Sequence, residues 1–386
     1  MAAPATTRKA AFQPLRVSAI RPLTEDALEI TFDVPEELVE DYNYIPGQYV
    51  AVRATIDGRS VRRSYSLCDI PRAGTLRIAI KKNRGGVFST WAHSSVQVGD
   101  VIEVMNPQGA FTSRTHTTAL NDPEALLDEA EQRTPAPRIV AIAAGSGITP
   151  IMAIARTFLR DSPRASVELI YANRGGNDVM FAEDIGDLKD AYPARFAVHH
   201  VLSREERINP LFSGRIDEER LALFLDRVVR PESVDEWFLC GPFDLVQLCR
   251  DTLAARGVPA EAIRYELFST GRPSDAEDPG ARRAPVEVDP EGENISIGFT
   301  LDGLSGQVLS PESAHETILQ AALRARDDVP FACAGGVCGT CRAKVLRGTV
   351  EMAENYALEP EEVAAGYVLT CQTRPTCGDV AVDYDA

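Results

Sequence analysis

The sequence has no uninterrupted apolar run of about 18 residues, the length that a membrane-spanning helix needs, so we expect no transmembrane segment. Its opening stretch, MAAPATTRKAAFQP, carries Arg8 and Lys9 but lacks the apolar core of a secretory signal. Positive charge is also scarce, and the formal net charge of −17 disfavours binding to nucleic acid or to an anionic membrane. We therefore expect a cytoplasmic protein with no nucleic-acid partner and no membrane partner.

Cysteine and histidine are scarce as well, with eight and five copies among 386 residues. Eight cysteines are too few for a disulfide scaffold, and stable disulfides are rare in the cytoplasm. The histidines show neither triad nor metal-ligand spacing, so no chemistry is assigned to His93, His116, His199, His200 or His315. Cys68, Cys249 and Cys377 are interpreted as packing residues. Four of the remaining cysteines share one spacing pattern near the C-terminus, where metal or redox use is the better interpretation.

Composition and pattern divide the chain into three folded segments and two linkers, because its length is too great for one ordinary core. Residues 10–113 contain short strands between turn signals, which predicts an antiparallel β-barrel. Residues 138–270 alternate apolar strands with helical stretches, which predicts a doubly wound α/β domain. Residues 114–137 are polar and acidic, and residues 271–292 are rich in Pro, Gly and charge, so both are expected to be linkers. Residues 293–386 form the third segment.

A glycine-rich loop follows the first apolar strand of the α/β segment. It contains Gly145, Gly147, Thr149 and Pro150, and a helix is predicted to begin there. Loops at this position bind phosphates, because their amides and the helix N-terminus face the anion and glycine lets the backbone approach closely. A tight strand–helix turn without a ligand would have the same pattern, so the loop alone leaves both interpretations open.

The residues after the next two strands bear on which nucleotide would bind. A NAD site of the Rossmann type has Asp or Glu about 20 residues beyond the glycine loop. Here one strand is followed by Arg174 and the next by Ser203 and Arg204. Two arginines could hold a 2′-phosphate, which favours NADPH, with NADH possible. Ordinary solvated surface arginines are the alternative.

The barrel segment carries a second set of ligand-binding residues. Strand alternation places Arg63 and Tyr65 of RSYS on one face, which suits a ligand with a phosphate and a ring. Downstream, Gly86 and Ser89 of GGVFS precede a predicted helix and form a second anion-site candidate. Taken alone, RxYS is also an ordinary strand fragment.

The third segment contains the cysteine cluster. Cys333 and Cys338 are separated by four residues, Cys338 and Cys341 by two, and Cys371 follows after 29 more. This is the C-x4-C-x2-C…C spacing of a plant-type [2Fe-2S] site, whereas a zinc site favours two CxxC pairs or added histidines. A helix is predicted over residues 312–325, before the cluster loop.

The order of RSYS, GGVFS, AGSGITP, CGP and ELF resembles the ferredoxin–NADP reductase superfamily, and the last segment resembles a complete plant-type ferredoxin domain. The resemblance implies that FAD is held by Arg63, Tyr65, Ser66, Gly86, Ser89, Glu266 and Phe268. It implies that NAD(P) is held by Gly145, Gly147, Thr149, Pro150, Arg174, Ser203, Arg204, Cys240, Gly241 and Pro242. Tyr65, Ser66 and Cys240 would lie at the reacting centre. Cys333, Cys338, Cys341 and Cys371 would be the metal ligands.

An FAD barrel, a nucleotide domain and a C-terminal ferredoxin domain, in that order, resemble the reductase components of multicomponent oxygenases, in particular those of the phenylacetyl-CoA epoxidase type. The stretches GGVFSTWA, NPQGAF, FSGRID and NYALEPEEVAAGYVLTCQTRP contribute to this resemblance. It implies electron transfer from NAD(P)H through FAD and [2Fe-2S] to an oxygenase or hydroxylase component, in phenylacetate catabolism.

Two alternatives stay open at this point. A reductase for a steroid hydroxylase or another monooxygenase would have the same cofactors and a different acceptor. A cluster-bearing redox sensor or binding module would need a degenerate flavin or nucleotide site, yet RSYS, GGVFS, GSGITP and CGP are all intact.

Overall fold

The computed structural model describes residues 11–83, 86–113, 136–267, 288, 292–301, 303–326, 329–331, 336, 339–355, 358 and 360–386. They divide into two compact units, one made of the residues up to Val52 and from Tyr65 to Phe268, the other of Arg53–Ser64 and the residues from Ser269 onward. The predicted linkers at 114–137 and 271–292 lie mostly outside the described residues, and the domain boundaries stay a prediction.

The N-terminal part forms the antiparallel barrel sheet that was predicted. Its strand order is β4-β3-β6-β1-β2-β5. The strands are β1 (Phe12–Thr24), β2 (Ala27–Asp33), β3 (Tyr49–Ile56), β4 (Arg59–Ser66), β5 (Thr75–Lys81) and β6 (Val101–Met105), and helix α1 (Val87–Ser94) follows β5. Asp57 and Gly58 both have positive φ, +51° and +75°, the backbone that a two-residue hairpin turn requires between β3 and β4.

The second part is a parallel sheet with the order β11-β10-β7-β8-β9. Its strands are β7 (Arg138–Ala144), β8 (Ser166–Asn173), β9 (Phe196–Leu202), β10 (Glu236–Gly241) and β11 (Ile263–Leu267). Its helices are α2 (Ile148–Asp161), α3 (Ala182–Ala191), α4 (Glu218–Phe224) and α5 (Phe243–Ala255). The strand order reverses between β7 and β10, so their carboxyl ends form the crevice where such sheets bind ligands.

One apolar core is shared by these two parts of the first unit. It combines barrel residues Ala27, Cys68, Ala79 and Phe111 with the buried face of α2 and with alternate residues of β7 and β8. Because apolar area is removed from water along this boundary, barrel and parallel sheet are held against each other by the hydrophobic effect.

The second unit contains a mixed sheet of order β13-β12-β18-β14-β16 and the pair β15-β17. Its strands are β12 (Asn294–Leu301), β13 (Leu304–Pro311), β14 (Arg342–Arg347), β15 (Val350–Met352), β16 (Tyr367–Leu369), β17 (Thr373–Pro375) and β18 (Asp379–Asp383). Its α-helices are α6 (Ile318–Ala325) and α7 (Pro360–Ala364).

The helix predicted over 312–325 begins only at Ile318. Thr317 caps it, since its side chain accepts a hydrogen bond from the Gln320 amide at 3.2 Å, and the Gln320 side chain accepts one from the Thr317 amide at 3.0 Å. His315, with φ +46°, has a left-handed backbone that interrupts the helix before this cap. Among the described residues of the whole chain, no helix is both long and apolar enough to cross a membrane.

Candidate functional site

Three predicted site residues meet where β4, β10 and β11 end. The Ser66 hydroxyl donates a hydrogen bond to Oε2 of Glu266 at 3.2 Å, and both residues are buried. Cys240 is the direct neighbour of Glu266 in the parallel pairing of β10 with β11. Burial, reinforced by the Glu266 carboxylate, raises the pKa of the Cys240 thiol well above its ordinary value, so the thiol is neutral near pH 7.

The glycine loop packs against the same point. A Cβ built on Gly147 would lie 2.3 Å from the carbonyl oxygen of Cys240, so no other residue fits there without moving the backbone. Gly145 has φ +53°, and its carbonyl accepts a hydrogen bond from the Tyr171 hydroxyl at 2.9 Å. The loop therefore holds the start of α2 beside Cys240.

The start of α2 has features of an anion site. No side chain caps its N-terminus, and the Thr149 hydroxyl bonds backward to the Ser146 carbonyl at 3.0 Å. Helix N-termini with uncapped amides favour phosphate. Pro150 is buried in the first turn, where its missing N–H costs no hydrogen bond. Gly241 and Pro242 follow Cys240, and Pro242 precedes α5 directly.

On the barrel side, an aromatic series connects β4 with α1. The Tyr65 ring lies 5.7 Å from the Phe88 ring, and Phe88 packs edge-on against Trp91 at 5.3 Å. Phe88 is buried, whereas Tyr65 is only partly buried. Tyr65 thus presents ring surface next to the Ser66 hydroxyl.

Gly86 and Ser89 lie together at the start of α1. The Ser89 hydroxyl accepts a hydrogen bond from the Asn83 amide at 3.1 Å and lies 3.4 Å from the Gly86 carbonyl. A Cβ on Gly86 would come within 2.6 Å of that hydroxyl. In the described structure the Ser89 hydroxyl therefore closes the turn before α1. That Ser89 binds a phosphate stays a prediction.

Arg63 belongs to the second unit. Its guanidinium donates to the Arg62 carbonyl at 2.6 Å and lies 5.8 Å from the centre of the Phe331 ring. Its predicted contact with the FAD pyrophosphate is not tested by these contacts.

The two arginines of the predicted 2′-phosphate site are neighbours. The Arg204 amide donates to the Arg174 carbonyl at 2.7 Å, and the Ser203 amide donates to the Asn173 carbonyl at 2.9 Å, so the β8–β9 pairing continues past both strands. Both arginine side chains are exposed, and neither pairs with a carboxylate within the described part of the chain. Glu205 connects the segments that follow β8 and β9, since its carboxylate accepts a hydrogen bond from the Gly176 amide at 2.5 Å.

In the second unit, Cys341 and Cys371 are buried in one apolar cluster, and neither forms a disulfide among the described residues. The Cys341 carbonyl accepts hydrogen bonds from both the amide and the hydroxyl of Thr370, at 3.1 and 2.9 Å, so the two cysteines are brought together through adjacent backbone. Gly336 has φ +81°, and a Cβ there would lie 2.9 Å from the side chain of Gln372, the residue after Cys371. Two buried cysteines in one cluster, beside a position where a Cβ would clash with Gln372, fit the thiolate donor set of an iron–sulfur cluster. Cys333, Cys338 and Phe268 lie outside the described residues.

Comparison with known proteins agrees with each part of the chain. An oxidoreductase FAD-binding domain model matches residues 14–113, an oxidoreductase NAD-binding domain model matches residues 141–251, and a 2Fe-2S iron–sulfur cluster binding domain model matches residues 300–376. A subunit of 1,2-phenylacetyl-CoA epoxidase from Escherichia coli (strain K12) is 40% identical over 376 residues, which cover 97% of this chain and 98% of the relative.

The chain belongs to the ferredoxin–NADP reductase-type reductases with a C-terminal 2Fe-2S domain. The ferredoxin reductase component of 3-ketosteroid-9-alpha-monooxygenase from Rhodococcus rhodochrous is 32% identical and covers 96% of this chain and 96% of the relative. The solved structure of phthalate dioxygenase reductase aligns with a TM-score of 0.56 at 20% identity over 97% of this chain and 98% of that chain, which shows a common fold. The predicted family, fold class and three cofactor domains are confirmed.

Two residues whose side chains hold the loops of the parallel-sheet part were not predicted from the sequence. Tyr171 was interpreted only as part of an apolar strand, yet its hydroxyl fixes the Gly145 carbonyl. Glu205 directly follows the predicted Arg204, and an acidic residue at that position was the available signal in the sequence. The structure shows that its carboxylate accepts a hydrogen bond from the Gly176 amide.

Proposed function

We propose that this reductase passes electrons from NADPH through FAD and a [2Fe-2S] cluster to the oxygenase component of a phenylacetyl-CoA epoxidase. The observation that carries the proposal is the meeting of Ser66, Glu266 and Cys240 beside Gly147, in one chain with a two-iron cysteine set. NADPH would supply two electrons together as hydride, and a two-iron cluster accepts one electron at a time. A flavin can do both, so the FAD belongs between the two in the electron path.

At the reacting centre, Ser66 and Glu266 act as a hydrogen-bonded pair. The Ser66 hydroxyl is the donor, and Glu266 holds it in one orientation from β11. The neutral thiol of Cys240 adds a polarisable surface without adding a charge, since its pKa is raised by burial and by Glu266. Gly147 keeps the nucleotide loop in contact with that strand end, so a bound nicotinamide would be positioned by backbone that cannot shift freely.

The choice of NADPH is supported by Arg174 and Arg204. Their backbones are hydrogen-bonded to each other, and their exposed guanidinium groups have no carboxylate partner among the described residues. In a chain of net charge −17, two neighbouring unpaired arginines favour an anionic ligand such as a 2′-phosphate.

The acceptor is proposed from similarity along almost the whole chain. The relative at 40% identity is, by its name, part of an epoxidase that acts on phenylacetyl-CoA, and the coverage extends through all three domains. A steroid monooxygenase reductase is the second candidate, supported by 32% identity over 96% of the chain.

Reconstitution tests the acceptor. The purified reductase, NADPH and oxygen are mixed with a phenylacetyl-CoA epoxidase oxygenase component or with a 3-ketosteroid 9α-hydroxylase oxygenase component, and product is measured for each. The proposal predicts epoxide formation with the first at a rate well above that with the second. Equal product formation, or product only with the steroid enzyme, would contradict it.

The proposal includes a cytoplasmic location. None of the six described cysteines forms a disulfide within the described part of the chain, and a reducing compartment favours that state. Fractionation of cells that express the tagged full chain would test this, with the reductase expected in the fraction that contains cytoplasmic enzymes.

A further inference from the structure

A network of alternating charges runs along the boundary between the barrel and the parallel-sheet part of the first unit. From the barrel it takes Arg21, Glu29, Asp69 and Arg77, and from α2 and α3 it takes Arg156 and Asp184. With three arginines and three carboxylates, its formal charge is balanced. We call these six residues the boundary network.

The boundary network crosses from one part to the other at two points. Arg21 of β1 reaches Asp184 of α3 with Nη1–Oδ2 and Nη2–Oδ2 distances of 3.0 Å. Arg156 of α2 donates to Oδ1 of Asp69 at 3.0 Å and to the Cys68 carbonyl at 3.3 Å, and its other nitrogen bonds Asp184. Asp184 therefore receives one arginine from each part.

The contacts of Arg156 are shielded from water, whereas the Arg21 side chain is 40% exposed. The Arg156, Asp69 and Asp184 side chains are 13%, 9% and 18% exposed. Salt screens such pairs weakly, and a carboxylate left in this position without its arginine would be poorly solvated. Arg156 therefore connects Asp69 and Asp184 through shielded ion pairs, whereas the Arg160 side chain, which pairs with its chain neighbour Asp161, is 42% exposed.

Local structure holds Asp184 and Arg156 in place. Phe181, directly before α3, is buried and has φ +60°, a left-handed backbone that a large residue rarely adopts. The Arg156 guanidinium lies 5.9 Å from the centre of the Phe181 ring. Asp184 is in the first turn of α3, where the helix dipole favours a carboxylate.

Both residues of the Asp69–Arg156 contact lie close in the chain to predicted site residues. Asp69 follows Ser66 by three residues, and the intervening Cys68 amide is fixed to the Arg77 carbonyl at 3.0 Å. Arg156 follows Thr149 by seven residues on the same helix, which is about two helical turns. The Asp69–Arg156 contact thus joins the strand end that carries Ser66 to the helix that starts at the nucleotide loop.

We infer that the boundary network, through Arg156 and Asp184, positions the nucleotide loop relative to Ser66 and so sets the rate of electron transfer from nicotinamide to flavin. Its members are positioning residues, since their described ion pairs are with one another and the Ser66–Glu266 hydrogen bond does not include them. The inference rests on the proposed reductase function.

The test compares Arg156→Gln and the isosteric Asp184→Asn with Arg160→Gln, which removes an exposed arginine from the same helix. In each holoenzyme we would measure FAD content, the anaerobic rate of flavin reduction at saturating NADPH, and the NADPH concentration at half-maximal rate. Amide hydrogen exchange across α2, α3 and residues 66–69 gives a readout that is independent of turnover.

Both network variants are expected to slow flavin reduction about 10- to 100-fold, because small misplacement of reacting groups has effects of that size. The half-saturating NADPH concentration and the FAD content should stay within about twofold of wild type, and exchange should increase in α2, α3 and residues 66–69. Arg156→Lys should recover part of the rate, since it keeps the charge without the two-pronged geometry. Arg160→Gln should match wild type.

Reduction rates within twofold of wild type in both variants, with faster exchange, would show that the network only stabilises the fold and would overturn the inference. The inference would also be overturned if the FAD content or the affinity for NADPH fell by the same factor as the rate of flavin reduction. A wild-type protein whose flavin is not reduced by NADPH or NADH would instead contradict the proposed function, and the inference would fail with it.

Discussion

The Ser66 hydroxyl and the Glu266 carboxylate are hydrogen-bonded at 3.2 Å although 200 residues separate them in the chain. Ser66 ends a strand of the barrel, and Glu266 lies on the edge strand of the parallel sheet, next to Cys240. The contact joins a predicted flavin residue to the strand end that is predicted to line the nicotinamide site.

Replacing Ser66 with Ala should slow flavin reduction by NADPH. A hydrogen bond to a charged group contributes about 1.5–3 kcal/mol, which corresponds to about 10- to 100-fold in rate if it is used fully at the reacting centre. Anaerobic rapid mixing at saturating NADPH measures this. Ser94→Ala, at an exposed serine of α1 whose hydroxyl hydrogen-bonds to that of Ser95, is the control and should leave the rate unchanged. A Ser66→Ala enzyme as fast as this control would remove Ser66 from the reacting centre.

Two glycine substitutions should have opposite effects on the free energy of unfolding. Gly147→Ala forces a Cβ to within 2.3 Å of the Cys240 carbonyl oxygen, so it should destabilise the protein and weaken NADPH-dependent flavin reduction. Gly186→Ala lies in α3 with no atom within 4 Å of the new Cβ, and it should stabilise the protein by roughly 0.5–1 kcal/mol. Thermal unfolding of the two variants beside wild type decides this, and a neutral Gly147→Ala would contradict the close approach.

The cysteines should differ in their reaction with iodoacetamide. A hydrogen bond from the Thr349 amide lowers the pKa of the partly exposed Cys377 thiol, whereas burial and then Glu266 raise that of Cys240. Because the thiolate is the reactive form, modification of Cys377 should reach half its maximal rate below the ordinary thiol pKa of 9.0 and fall as the pH is lowered further. Peptide mass spectrometry of the native protein between pH 6 and 10 should find Cys377 modified and Cys240 intact. Equal labelling of both would contradict the burial of Cys240.

Substitution of a predicted cluster ligand should remove the cluster and leave the flavin bound. Cys371→Ser, and likewise Cys338→Ser, should lose iron and cluster absorbance while keeping FAD and NADPH-to-dye activity, because the two-iron site needs four thiolates. Cys377→Ser lies six residues from Cys371, in the same unit, and should keep the full iron content. Loss of iron in Cys377→Ser with retention in Cys371→Ser would reverse the ligand assignment.

Arg204→Ala should raise the KM for NADPH more than the KM for NADH. Removing a guanidinium that binds the 2′-phosphate costs about 1.5–3 kcal/mol for NADPH only. Steady-state dye reduction with both nucleotides measures the ratio, and Arg160→Ala, outside the nucleotide loops, serves as the control. An equal increase for the two nucleotides would exclude a 2′-phosphate role for Arg204.

Local sequence signals were sufficient for the strands and for the glycine loop. The short strands and turn signals of residues 10–113 predicted the antiparallel sheet, and the apolar strands alternating with helical stretches in residues 138–270 predicted the parallel one. The helix predicted from residue 312 was wrong at its start, because the capping box at Thr317 outweighs the helix-favouring Glu and Ala residues before it. Such competition is decided by side-chain hydrogen bonds that composition does not reveal.

The boundary network could not be predicted at all. Arg21, Arg156 and Asp184 lie in three separate elements, and each looks like an ordinary surface charge in the sequence. Only the packing of α2 and α3 against the barrel places them together, since that packing depends on contacts between residues far apart in the chain. The predicted cofactor residues were named through the order of their motifs, and their individual roles stay predictions.

The central claim, an internal path for electrons from NADPH through FAD to the cluster, is tested most directly by one anaerobic titration. The holoprotein is titrated with NADPH while the visible spectrum and the paramagnetic signal of the reduced cluster are followed together. The account predicts that both the flavin and the cluster bands bleach, with up to three electrons taken up per chain, two by the flavin and one by the cluster. A flavin that bleaches while the cluster stays oxidised, or a protein that takes up no electrons from NADPH, would contradict it.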